Sequence, residues 1–208
     1  MTARPRMRPD PDEELIRACQ QTVELGFDGS FNTLYERYKD RVYNVCYRIT
    51  GSPTDALDAS QETFGTIHRK LRDFRFQSRF SSWVYRIAVN ASIDLKRRNR
   101  SRRLASLDSV RDGEDSDGLR FDVQDERIEM PMSSASRREL ESEIQRAIDR
   151  LSPKLRSITI LRYIESLSYD EIAETLEISL GTVKSRLARA HEALDRELSP
   201  VLHKHYLG

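Results

Sequence analysis

Apolar residues recur at steps of three and four along most of the chain. Phe31, Leu34, Tyr35, Tyr38, Val42, Cys46 and Ile49 form one such series, the pattern of an amphipathic helix. GSPTDALD restarts it: Ser52 predicts an N-cap, Pro53 takes the first helical position, and Asp55 lies in the electropositive first turn. That helix continues through Leu57, Gln61, Phe64, Ile67 and Leu71. A polar and aromatic loop, RDFRFQSRFSS, leads to a third helix expected from about 82 to 98, carrying Trp83, Val84, Ile87, Ala91 and Leu95. A shorter helix near 12–24 can help close one core, and nothing in this half reads as a strand.

From about 104 the periodicity dissolves, and it returns near 136 with Leu140, Ile144, Ile148 and Leu151. SPKL repeats the Ser-Pro start at 152, with a helix reaching roughly Ile164. Two further helices follow, in SLSYDEIAETLEI and SLGTVKSRLARAHEALDREL. No repeat of solenoid type is present. The expected fold is all-α with two small helical domains: a disordered N-terminal arm over 1–11, a first domain over 12–103, a flexible linker over 104–134, a second domain over 135–200 and a tail over 201–208.

The second domain carries a more specific pattern. Ser168 and Glu171 have capping-box spacing ahead of Ile172, Ala173 and Leu176. Ile178 then turns inward, Ser179 caps the next helix and Gly181 falls in its first turn. Two helices joined by so short a turn have helix-turn-helix geometry. At 100° per residue, Val183, Leu187, Ala190 and Leu194 share a narrow arc that must face the core. Ser185, Ala188, Arg189 and Glu192 point the other way, with Lys184 on the shoulder and Arg186 nearer the buried edge. A face of small residues and long cations can enter a DNA major groove, or it can be an ordinary solvated basic face.

Composition narrows the choice less than charge distribution does. Of 208 residues, 38% are hydrophobic and 33% charged, giving modest cores and a polar surface, and the net charge is only +1. KRRNRSRR (96–103) nevertheless holds six cations, whereas 107–129 holds nine acids against three arginines, a net −6. No stretch reaches the roughly 20 apolar residues of a membrane helix, and the N-terminal region has no apolar run of secretory type. Cys19 and Cys46 are read as small hydrophobes in a reducing cytosol. A cytoplasmic protein without membrane insertion is expected.

With both halves in view, the chain resembles a bacterial RNA polymerase sigma factor of the extracytoplasmic-function (group IV) type. LSYDEIAETLEISLGTVKSRLARAHEAL follows that family's region 4.2, while FNTLYERYKDRVYNVCYRITG, DALDASQETFGTIHRKL and FSSWVYRIAVNASIDLKRR look like regions 2.1, 2.2 and 2.3–2.4. The resemblance covers roughly residues 12–200. It implies a sigma region 2 bundle that binds core polymerase and melts the −10 element, and a region 4 helix-turn-helix on the −35 element.

Site residues follow from the resemblance by position. Asn90, seven residues after Trp83, matches an asparagine that lines the family's pocket for a flipped base, and Arg75, Gln77, Ser78 and Phe80 belong to the adjoining loop. An amide beside an aromatic and polar loop suits recognition of an unpaired base. Trp83 is expected mainly to pack, and Arg86, Lys96, Arg97 and Arg98 to hold phosphates, contacts that position without specifying. Lys184, Ser185, Ala188 and Arg189 fall against the −35 element, with Thr182 and Arg186 as phosphate contacts. Asp55, Asp58, Gln61 and Glu62 match the surface for the β′ coiled coil of core polymerase, and region 4 would dock near the β flap. The family often has larger apolar residues where this chain has Ala59, Ser60, Thr63 and Gly65. The acidic linker suits a basic channel of the polymerase, or is simply a tether. Control by an anti-sigma factor is expected.

Two other readings compete. A stand-alone helix-turn-helix regulator would need a ligand pocket or dimer helix in the first half. An enzyme would need a nucleophile–base set, a phosphate loop or a metal cluster. Asp55 and Asp58 are acids at a helix start, where the dipole favours them anyway, and His203 and His205 form only a lone His-x-His. A non-enzymatic protein with no cofactor and no metal is expected.

Overall fold

The computed structural model describes residues 10–22, 29–107 and 134–202. Among these there are helices and no strands. The first bundle comprises α1 (Glu13–Thr22), α2 (Gly29–Thr50), α3 (Pro53–Lys70) with a 3₁₀ turn at Leu71–Asp73, and α4 (Phe80–Leu107). The second comprises α5 (Ser134–Arg150), α6 (Pro153–Tyr163), α7 (Tyr169–Leu176) and α8 (Leu180–Leu202). The all-α expectation holds, with longer helices: α4 runs on to Leu107, into the segment assigned to the linker, and α8 runs to Leu202. The rest of the acidic segment, 108–133, lies outside the described residues, as do 1–9, His203 and His205.

The helix starts follow local chemistry. Ser52 Oγ accepts the Asp55 amide at 3.3 Å with Pro53 at the first helical position. Ser152 and Pro153 repeat the motif without the side-chain cap. At α7, Ser168 and Glu171 cap each other reciprocally. α2 ends at Gly51, whose φ of +76° admits the left-handed turn.

α2 buries Phe31, Leu34, Tyr38, Val42, Val45, Cys46 and Ile49. Tyr35, expected in that stripe, is 39% exposed. On α3 the inward face is Ala56, Ala59, Ser60, Thr63 and Ile67, while Leu57 is 53% exposed and Gln61 lies in solvent. Phe64 is half-buried and packs against the core as expected, so the stripe departs from expectation at Leu57 and Gln61. The packing face instead uses small residues, which let α3 approach its neighbours closely. Ala59, Ser60 and Thr63 therefore fall on the core side of α3, not on the surface expected for a partner. Thr63 and Ser92 spend their buried hydroxyls on their own helices, donating to Ala59 O and Ala88 O at 2.7 Å each.

The buried residues of the two bundles form one continuous cluster, from Ile16 to Leu187. The reason lies in α6. Arg156 through Leu161 are buried in succession, so the middle of this helix is covered all round; it packs on α8 and on α2 of the first bundle.

Candidate nucleic-acid interface

Between the 3₁₀ turn and α4 the chain crosses one end of the first bundle as a short loop, 74–79. Phe74 is buried and its ring centroid lies 5.1 Å from Phe76, 5.4 Å from Phe80 and 5.1 Å from Trp83. This four-ring cluster leaves Arg75 and Gln77 exposed and Ser78 half-buried. Phe80 is fully buried, which corrects its assignment to the DNA-contacting set; it holds the loop from beneath. Trp83 is half-buried and packs against Phe74 and Phe80, as its packing role required. Asn90 is exposed, two helical turns along α4 and about 10 Å from Trp83 along the axis.

The cations on either side of it are less free than the sequence suggests. Arg86 donates to Glu174 O at 2.7 Å and Thr175 O at 3.1 Å, and pairs with Glu177 at 2.5 Å. Lys96 donates to Ile49 O and Thr50 O at 3.3 and 3.2 Å. Burial, and then the nearby Arg156 guanidinium, lowers its pKa despite Asp149. Arg98 meets Glu62 at 2.8 Å. Arg97 is exposed. Of the four phosphate contacts expected on the first bundle, three are paired within the chain, two of them at the joint between bundles.

That joint is built from long-range polar contacts that no local pattern announces. Arg79 pairs with Glu171 at 2.5 Å. Burial disfavours the Glu171 carboxylate, but hydrogen bonds from Ser168 and the charge of Arg79 outweigh it, leaving its pKa below the usual range. Arg156, 3% exposed, donates to Ile148 O at 3.0 Å, Leu151 O at 3.2 Å, Asp149 O, and across the joint to Ile49 O at 2.6 Å. Burial pushes the Glu165 carboxyl up, against a hydrogen bond with Tyr85 and the charge of Arg41. An arginine amid LRSITIL was the one available signal.

On the second bundle, Glu177 takes φ +52° to end α7, and Ser179 Oγ accepts the Thr182 amide at 3.1 Å to start α8. Val183, Leu187 and Ala190 are buried and Leu194 partly so. Lys184, Ser185, Ala188 and Arg189 are exposed, while Thr182 and Arg186 are half-buried. The helical wheel placed every one of these faces correctly. The cationic face is exposed along Lys184, Ser185, Ala188 and Arg189.

On α3, Asp58, Gln61 and Glu62 are exposed beside Leu57. Asp55 is half-buried and accepts from Asn99 Nδ2 at 3.0 Å. Among the described residues, no group of His, Cys, Asp and Glu could hold a metal ion and no helix is long and apolar enough to cross a membrane.

Comparison with known proteins agrees with this arrangement. Residues 34–102 match the family model Sigma-70 region 2, and residues 141–194 match Sigma-70, region 4. The chain is 33% identical over 186 residues to the ECF RNA polymerase sigma factor SigW of Bacillus subtilis, spanning 89% of this chain and 98% of that one. It is also 33% identical over 193 residues to the RNA polymerase sigma-H factor of Pseudomonas aeruginosa, spanning 93% and 96%. Similar solved folds include CnrH in complex with the cytosolic domain of CnrY (TM-score 0.61, 22% identity, 89% and 98% coverage). Another is the sigma factor RpoE bound to the anti-sigma factor NepR from Bartonella quintana (TM-score 0.62, 20% identity, 83% and 98% coverage).

Proposed function

The chain belongs to the extracytoplasmic-function class of the sigma-70 family, and on that premise we propose how its two bundles divide promoter recognition between them. As a sigma factor it is a non-enzymatic initiation factor that binds core RNA polymerase and promoter DNA. The first bundle reads the −10 element: Arg75, Gln77 and Ser78 on the loop and Asn90 on α4 meet a base taken out of the stack. Arg97, and Arg86, Lys96 and Arg98 once released from their present partners, hold the backbone around it. The second bundle lays α8 in the −35 major groove, with Lys184, Ser185, Ala188 and Arg189 against base edges and Thr182 and Arg186 against phosphates.

The observation that carries this reading is the pair of exposed polar readers on separate bundles, the loop with Asn90 and the outer face of α8. Their separation also sets a physical requirement. The two elements lie about 25 base pairs apart, roughly 85 Å at 3.4 Å per pair, whereas bundles of this size have radii of gyration near 13 Å. Bundles in contact cannot reach both elements, so the joint opens on the promoter. The 26 residues between Leu107 and Ser134 extend to about 90 Å at most, which is sufficient.

Leu57, exposed beside Asp58, Gln61 and Glu62, gives α3 an apolar and acidic surface suited to the β′ coiled coil, with Asp55 at its edge; the second bundle docks near the β flap. CnrH and RpoE are held by CnrY and NepR in their complexes, and control by an anti-sigma factor in the cytoplasm is proposed here. Run-off transcription with purified core polymerase on a library of promoter fragments tests the whole. Promoter-directed transcripts support it. Absence of such transcripts, with duplex DNA bound by the chain alone, would instead favour a stand-alone helix-turn-helix regulator.

A further inference from the structure

The loop at 74–79 is gripped at both ends and in its middle by a single stretch of chain, α1 and the residues just ahead of it. Gln20 Nε2 donates to Leu71 O and Phe74 O, each at 2.9 Å. Three residues earlier on the same face, the Arg17 guanidinium lies 4.6 Å from the centroid of the Phe76 ring and is steadied by Glu13 at 2.8 Å. Asp10 Oδ2 accepts the Phe80 amide, the first of α4, at 2.6 Å, where a carboxylate also meets the positive end of that helix. Asp10 was expected to lie in a disordered arm; its other oxygen accepts the Asp12 amide at 3.0 Å.

α1 is itself fixed. Ile16 and Cys19 are buried in the core at 0% and 1% exposure. Asp12, 3% exposed, accepts from Tyr38 Oη at 2.5 Å and from Arg37. The grip acts on a strained path, because Phe76 sits at φ +54°. An aromatic residue there costs roughly 1–2 kcal/mol, and such a conformation persists only where its surroundings over-determine it. Anchored and exposed positions alternate: Phe74 is buried, Arg75 exposed, Phe76 half-buried, Gln77 exposed.

We infer that α1 is the positioning element of the −10 reader. Gln20, Arg17 and Asp10 fix the course of 74–80 and so where Arg75 and Gln77 stand relative to Asn90. The inference rests on the reading of that loop given under Proposed function. The three are positioning residues that act through the loop. A hydrogen-bonding constellation discriminates only while held within about 0.5 Å of its productive geometry, so a loosened loop still lets the chain bind polymerase but reads bases less sharply.

The test uses the full chain, purified bacterial core polymerase and promoter fragments randomised in the −10 element, with transcripts counted by sequencing. Gln20→Leu is expected to leave core affinity within about twofold while the preference for the favoured −10 sequence over single-base variants falls about tenfold, the equivalent of a lost pair of hydrogen bonds. Arg17→Gln alters a side chain 57% exposed and leaves the fold intact; about a threefold loss of preference is expected, restored by Arg17→Lys, which keeps a cation over the ring. Unchanged preference in both variants overturns the inference. So does a loss uniform across −10 sequences that tracks core binding or melting temperature. Gln77→Ala and Asn90→Ala are run in parallel. If these two sharply alter −10 preference and the α1 variants do not, only the role of α1 falls; if they too leave it unchanged, the loop is not the reader and the proposal beneath falls with it.

Discussion

The Arg86 guanidinium closes the C-terminal end of α7, donating to the carbonyls of Glu174 and Thr175 at 2.7 and 3.1 Å. Seven residues before it, Arg79 holds Glu171 near the start of the same helix at 2.5 Å. The first helix of the helix-turn-helix is thus clasped at both ends by arginines of the other bundle. A cation at a helix C-terminus is favoured by the dipole, and a DNA phosphate would compete for that same guanidinium.

Glu177→Gln isolates this competition, because Glu177 pairs with Arg86 at 2.5 Å with its side chain 70% exposed and lies outside the proposed DNA-reading faces. A pair so exposed contributes about 0.2–1 kcal/mol. The variant is expected to bind a forked −10 fragment up to about fivefold more tightly. Energy transfer between dyes on the two bundles should fall alongside. Tighter DNA binding with unchanged transfer would show that the joint does not compete with DNA.

Arg156→Leu addresses the buried side of the joint. Its guanidinium serves carbonyls of Ile148, Asp149 and Leu151 in its own bundle and of Ile49 in the other. Leucine fills similar volume but leaves those acceptors without this donor. A loss of about 3–5 kcal/mol in urea unfolding is expected, with the bundles parting at lower denaturant than either melts. A loss below about 1 kcal/mol would mean that water replaces the arginine.

Much of this architecture was legible in advance because its causes are local. Ser52, Pro53 and the Ser168–Glu171 box start helices through contacts three residues apart, and α8 is so regular that its wheel sorted Val183 from Arg189. On α3 Leu57 is exposed where Ala59 and Thr63 are buried: apolar size marks a stripe, but close helix packing selects small residues. Phe80 enters the DNA-contacting set only as a member of the loop to which the resemblance points, whereas its burial depends on the partners Phe74 and Tyr38, the latter ring 5.5 Å away. The joint was invisible, since pairs such as Arg86–Glu177 are separated by about half the chain and use carbonyls that every residue carries.

Cys46 supplies a pH-dependent signal. Burial pushes its thiol from the ordinary 9.0 up to about 11, with hydrogen bonds to Ser92 and Thr63 pulling the other way. The folded state therefore keeps the thiol proton at pH values where the unfolded chain has lost it, so stability falls as pH rises from about 9 through 11. Tyr38 and Tyr85, also raised by burial, add in the same direction. The Cys46 contribution to that alkaline loss is about 2 kcal/mol by pH 11, and Cys46→Ala should flatten the limb by this amount in unfolding curves taken from pH 8 to 11. An unchanged limb would show that the thiol ionises freely in the native protein. At pH 8 iodoacetamide should label Cys46 only as fast as the bundle opens.

Gly51 tests whether the bundles meet as tightly as the distances imply. Its φ of +76° lies where a side chain costs roughly 1–2 kcal/mol, and its amide donates to Tyr47 O at 2.8 Å to finish α2. A Cβ built there would stand 2.8 and 2.9 Å from the carboxylate oxygens of Asp149, across the joint. That carboxylate cannot swing away freely, since it lies 3.3 Å from Arg156 and 3.8 Å from Lys96. Gly51→Ala therefore carries two costs, one in the backbone and one in the joint, and Asp149→Ala removes only the second. Urea unfolding of the single and double variants separates them: Gly51→Ala should cost at least about 1 kcal/mol less in the Asp149→Ala background, the size of a typical coupling between contacting residues. Energy transfer between the bundles should fall in Gly51→Ala and change little further in the double variant. Equal costs in both backgrounds would place Asp149 away from Gly51 in solution.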